Sequence, residues 1–167
     1  LYALKPDEIQ IGILKRLRGT PIIRHDSNFR MKYHGSPPYS ILSNSTLDFY
    51  TIQRMQRFAK FWDLVANSGN FKDTMQFLEE NTTGTLFNTY LELSDFLSKR
   101  HLKRHSIALL SLVESLWIYL REIRKLPQEL VEKALINDYS IRGKRDIPLF
   151  MRKESKKSEK QWGLKTS

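Results

Sequence analysis

Leu4–Ile23 reads LKPDEIQIGILKRLRGTPII, and its reading decides the rest. Ile9, Ile11 and Ile13 alternate with Gln10 and Gly12, which is the two-residue period of a strand. Gly19-Thr20-Pro21 follows as a turn. A short helix is the competing reading. Pro6 would stand at its first position, Asp7 and Glu8 in its first turn, Lys15, Arg16 and Arg18 in its last, and Gly19 at its end. The strand is preferred, because three isoleucines at period two suit a pleat and Gly12 costs a helix stability. No second run of similar quality offers itself as a partner. A strand with unpaired backbone groups is a liability. It is therefore expected to belong to a sheet that these 167 residues do not contain, and the absence of an initiator methionine at Leu1 fits an excised piece.

The remaining sequence becomes helical. Residues 24–44 read as a connecting region, with short strands in Phe29–Tyr33 and Tyr39–Leu42 around the turn His34-Gly35-Ser36-Pro37-Pro38. Ser45, with Asp48 three residues on, is the expected cap of the first helix. Ile52, Met55, Phe58, Ala59, Trp62, Val65 and Ala66 form its inner face, and Asn67-Ser68-Gly69 ends it. Asn70 is the expected cap of the next helix, with Phe71, Met75 and Leu78 inward. A third helix runs over Thr85–Arg100. Ser106–Arg124 is apolar around most of its circumference and reads as the central helix. Pro127 opens a fifth, with Leu130, Val131, Ala134 and Leu135 inward. The fold class predicted is mainly α: an antiparallel bundle of about five helices, preceded by the N-terminal strand and a short hairpin-like region. The domain reading is 1–23 strand and turn, 24–44 connecting region, 45–148 helical domain and 149–167 basic tail, expected to be mobile.

Composition narrows the function classes. Forty per cent of residues are hydrophobic and 11% aromatic, enough for a packed core. No apolar run approaches the ~20 residues that span a bilayer. There is no cysteine, so a disulfide framework, a thiolate zinc site and a Cys-ligated iron–sulfur cluster are excluded within these residues. The net charge is +10, of which Arg152–Ser167 supplies +4 (six Lys/Arg against two acids). The rest is dispersed along helices, as on a solvated surface.

PDEIQIGILKRLRGTPI resembles the end of the catalytic barrel in cobalamin-binding radical SAM proteins, where a strand of pattern LQ-G-LK-L-GTP leads outward. Pro37-Pro38-Tyr39 with Ile41-Leu42-Ser43 resembles that family's PPYE-VLS segment, with Ser40 in place of the acid. Trp62 with Asn67-Ser68-Gly69 and Phe71 resembles its W…NSG-F segment. The family includes methyltransferases and anaerobic Mg-protoporphyrin IX monomethyl ester oxidative cyclase-like members. The resemblance covers Leu1 to about Phe71. It implies that residues 1–23 end a catalytic barrel, and that the helices form a C-terminal accessory domain covering or gating the barrel's substrate end. A [4Fe-4S] cluster, S-adenosylmethionine and cobalamin are implied in the parent and none in this chain, which lacks the three-cysteine motif. The implied partners are the upstream radical SAM and cobalamin-binding domains of the same polypeptide, in the cytoplasm, with no membrane.

No catalytic residue or metal ligand is assigned. Gln10 is the candidate cofactor or substrate contact if the alternation turns it to the barrel lumen, as the resemblance allows. His101 and His105 stand one helical turn apart, but the glutamate of HExxH is missing and Lys103 and Arg104 repel a cation; a basic junction between helices is the better reading. Gly19-Thr20-Pro21 is too short for a phosphate loop. Asp7, Glu8, Glu79, Glu80, Glu92 and Asp95 show no pairing suited to acid–base work. Phe58, Phe61, Trp62, Phe71, Phe77 and Trp117 suit core packing better than base stacking. Two other functions stay open: a basic helical module for nucleic acid, and a homo-oligomer formed through the orphan strand.

Overall fold

The computed structural model describes residues 2–102, 106–140 and 146–152. The chain divides into two units, residues 1–68 and 69–167. Among the described residues its architecture is mainly α with a two-stranded antiparallel sheet, as the periodicity predicts.

The first unit opens with a 3-10 turn, Tyr2–Leu4, and an extended segment. Gly19 (φ 78°) turns the chain by entering the left-handed region that a side chain would disfavour. A second 3-10 turn, Pro21–His25, follows. Strands β1 (Lys32–Tyr33) and β2 (Ile41–Ser43) pair antiparallel, with Lys32 opposite Ser43 and Tyr33 opposite Ile41. Both strands are shorter than the runs that predict them.

Helix α1 spans Phe49–Trp62 and packs on β2. Its cap is Asp48, whose carboxylate accepts from the Thr51 N–H at 2.7 Å, and not Ser45. The reason is local. Asn44 Oδ1 accepts from the N–H groups of Thr46 and Leu47, which folds residues 44–47 into a turn and delays the helix to Phe49. Ile52, Phe58, Phe61 and Trp62 are buried together with Ile41. Phe58 stacks on Trp62 (5.9 Å between centroids, 9° between planes), and Tyr2 meets the same indole edge-on at 5.9 Å. After Trp62 the helix widens into a π-helical turn, Asp63–Asn67.

The second unit contains α2 (Lys72–Glu80), α3 (Leu86–Arg100), α4 (Leu109–Ile118) and α5 (Gln128–Ser140). Helix α4 runs on into a π turn, Tyr119–Ile123. Helices α2 and α4 both pack on α5. Tyr90, Leu97, Val113, Leu116, Val131 and Leu135 are essentially water-free, and each contributes about 1.5–3 kcal/mol by leaving water. Thr85 caps α3 through Oγ1, which accepts from the Asn88 N–H. Asn70 does not cap α2. Asp138 does so from α5, its two oxygens accepting from the Asp73 and Thr74 N–H groups at 3.0 and 2.8 Å. On α5, Val131, Ala134 and Leu135 face inward as read from the sequence, whereas Leu130 is half exposed. The basic tail from residue 153 onward lies outside the described residues.

Candidate functional site

The opening segment is extended but is not a full strand. Ile9, Ile11 and Ile13 are half-buried while Gln10, Gly12 and Leu14 are exposed, so the alternation of the sequence is realised in space. Its C-terminal end finds a partner inside the chain. Leu14 O accepts from the Ile41 N–H at 2.9 Å, the Arg16 N–H donates to Tyr39 O at 3.0 Å, and Lys15 faces Ser40 antiparallel. The His34 N–H donates to Ser40 O on the other side. Residues 14–16 therefore border β2, which in turn borders β1. This corrects the expectation that the segment has no partner among these residues: it has one, over three residues.

Arg16 holds the corner. Its guanidinium bonds Asp26 Oδ2 at 3.0 Å and lies over the Tyr33 ring, 5.4 Å from the centroid. Burial raises the Tyr33 hydroxyl above its ordinary pKa, the Asp26 charge adds to this, and Arg16 opposes it.

The N-terminal end is held by one side chain. Asn67, the last residue of the π turn, accepts from the Ile9 N–H through Oδ1 at 3.3 Å and donates to Ile9 O through Nδ2 at 3.1 Å. Its Oδ1 also accepts from Trp62 Nε1 at 3.1 Å, and its Nδ2 donates to Asp63 Oδ1 at 2.8 Å. The amide thus bonds Ile9 as a neighbouring strand would, exchanging one donor and one acceptor. Trp62 and Asp63 fix which end of the amide is oxygen. The motif Trp62…Asn67 and the opening segment, 58 residues apart, meet here. The sequence reads Asn67 as a helix stop and as part of the W…NSG-F segment, without a contact to the opening segment; the signal for that contact is the joint occurrence of the two motifs.

In the second unit, His101 and Ser115 are in contact. Ser115 Oγ donates to Ser111 O at 2.7 Å, so His101 Nε2 must be the donor in its 2.9 Å contact with Ser115. Arg100 Nε donates to the same oxygen at 3.1 Å. The oxygen is buried and shared by Arg100 and His101. The contact ties the end of α3 to α4. His105 lies outside the described residues, so the His101–His105 spacing has no geometry to report.

Gln10 is exposed, on the face opposite the three isoleucines. The named aromatics Phe58, Phe61, Trp62 and Phe71 are buried, and Trp117 stacks on Phe150 at 5.6 Å, which is packing. Among the described residues no cluster of three or more His, Cys, Asp or Glu residues is placed to hold a metal ion. The sequence has no cysteine to ligate an iron–sulfur cluster. No helix among the described residues is long and apolar enough to cross a membrane.

Fold and site together define a mainly α protein whose opening extended segment is clamped at one end by a helix-borne amide and zipped at the other to a small sheet. Residues 27–165 match the family described as a protein of unknown function (DUF4080), and the chain belongs to that family. No curated protein and no solved structure matches it.

Proposed function

We propose that this chain is a non-catalytic C-terminal accessory domain of a cobalamin-dependent radical SAM enzyme, methyltransferase or oxidative cyclase-like, and that it covers or gates the substrate end of the parent's barrel. One observation carries the reading. The two stretches with the most specific resemblance, the isoleucine segment and Trp62…Asn67-Ser68-Gly69, join in a single hydrogen-bonded contact at Ile9. Motifs that answer to one another in space support a shared origin better than either does alone. The DUF4080 match adds to it, since that domain is found with cobalamin radical SAM proteins.

On this reading the cluster, S-adenosylmethionine and cobalamin belong to upstream domains of the same polypeptide, in a cytoplasm reducing enough to keep the cluster intact. Bound there, they would supply reductive cleavage of S-adenosylmethionine and methyl or radical transfer. The helices contribute shape and exclusion of water. The test is the upstream reading frame together with the full-length protein. A CxxxCxxC segment upstream and formation of 5′-deoxyadenosine under reducing conditions are expected. A parent with neither overturns the proposal.

A further inference from the structure

In an extended chain the N–H and C=O of one residue point to the same edge, and successive residues alternate between edges. Leu14 and Arg16 point to β2. Ile9, Ile11, Ile13 and Lys15 therefore point away from it. Ile9 is already satisfied by Asn67. Beyond Lys15, Leu17 O is taken by the Thr20 N–H and the Thr20 hydroxyl, at 3.3 and 2.7 Å. Between these stops, the backbone groups of Ile11, Ile13 and Lys15 have no hydrogen-bond partner among the described residues. An open edge of this kind pairs readily with another strand.

We propose that this edge pairs antiparallel with the same edge of a second copy of the chain, about a two-fold axis at Ile13. Three observations select that occupant and register. The open stretch is symmetric about Ile13, so only this register sets every open residue against an open residue: Ile13 opposite Ile13, Ile11 opposite Lys15. Shifting one pair toward Ile9 collides with the Asn67 amide, and one pair toward Leu17 meets an acceptor already in use. The segment is also electrically polar, with Asp7 and Glu8 before the isoleucines and Lys15 and Arg18 after them. Two-fold pairing brings the acidic end of one copy, Asp7 and Glu8, to the end of the other that carries Arg18 in its turn, and all three residues are exposed. Finally, Ile11 and Ile13 lie on one face, so the two copies form a continuous apolar strip across the axis. The product is one sheet running β1, β2, opening segment, then the same three elements of the partner in reverse. On the accessory-domain reading the implied barrel is a rival for this edge, so the two proposals are tested apart: the upstream frame decides that reading, and self-association of this chain decides this one.

Sedimentation equilibrium of the 167-residue chain tests it. The apparent mass is expected to rise from 19.8 kDa toward twice that value with concentration. Ile13→Pro removes the central N–H and is expected to weaken dimerisation by tenfold or more. Glu8→Arg and Arg18→Glu are each expected to weaken it about two- to fivefold at low salt, and the double exchange to restore it. The chain has no cysteine, so Ile13→Cys is expected to form an intermolecular disulfide on oxidation, because facing antiparallel residues lie about 5.5 Å apart at Cα; Gln10→Cys is expected not to. If circular dichroism shows that Ile13→Pro is unfolded, the charge exchange and the cysteine pair decide. A chain that stays monomeric at every concentration overturns the proposal and leaves the edge to a strand of another source. A dimer indifferent to all these variants uses another surface and overturns it equally.

Discussion

Asn67 bonds Ile9 through both ends of its amide, at 3.3 Å to the N–H and 3.1 Å to the carbonyl, and so does with one side chain what a strand does with its backbone. The π turn Asp63–Asn67 makes this geometry available. By widening the helix after Trp62, it carries Asn67 to a position from which the amide reaches both the indole N–H and the extended segment.

Asn67→Ala should release the segment. It removes two bonds to Ile9 and leaves the Trp62 Nε1–H of a buried side chain without its acceptor. A loss of about 1–3 kcal/mol in chemical denaturation is expected. Hydrogen exchange at the Ile9 amide should rise toward that of an open chain. Asn67→Asp should be worse, because the new carboxylate faces Asp63 and cannot donate to Ile9 O.

Asp138→Ala should unravel the start of α2. The Asp73 and Thr74 N–H groups lose their acceptors together, and Thr74 is buried. About 2–3 kcal/mol is expected, since a cap is lost and a buried donor is left unpaired. Urea unfolding followed by circular dichroism measures it. Asp138→Asn, which keeps one acceptor oxygen, should recover part of the loss.

Tyr119 should titrate late. Burial pushes its hydroxyl up to about 12, the Arg124 charge pulls it down and the Glu92 charge raises it. The hydroxyl donates to Thr89 O at 3.1 Å. The folded value lies above the unfolded one near 10, so this stabilisation is fully present below about pH 10 and is lost as pH rises through about 12. Absorbance of tyrosinate should show this residue missing from the first titration wave, and Tyr119→Phe should remove only the late wave.

Ser115→Ala should loosen the end of α3. His101 and Arg100 lose a shared acceptor, at about 1 kcal/mol for the net hydrogen bonding. The imidazole of His101 should then exchange its Nε2 proton faster by NMR. Unchanged exchange would mean that Ser115 does not hold the ring.

Helix positions were legible because burial follows a period that side-chain polarity repeats. Ile52, Phe58 and Trp62 on α1, and Val131 and Leu135 on α5, were found this way and are buried. Caps were not, since they depend on competition and on distance. Ser45 and Asp48 are both competent caps, and the Asn44 turn decides between them. Asn70 is a fair local cap for α2, but a carboxylate 65 residues away occupies the position. The isoleucine alternation was legible as extension and not as pairing, because a strand's partner is set by topology. The π turns left no trace in the apolar pattern, and without the first of them Asn67 reads as a helix stop. Leu130 misled because apolarity at a helix start does not say which side faces inward.

The reach of Asp138 back to α2 also sets an order of events during synthesis. Residues 72–80 leave the ribosome well before residue 138 does, and no side chain of their own completes the first turn. This short helix must wait, frayed at its start, until the chain has grown through three more helical stretches and the carboxylate arrives. A ribosome stalled before α5 would therefore hold an α2 that melts from its leading end.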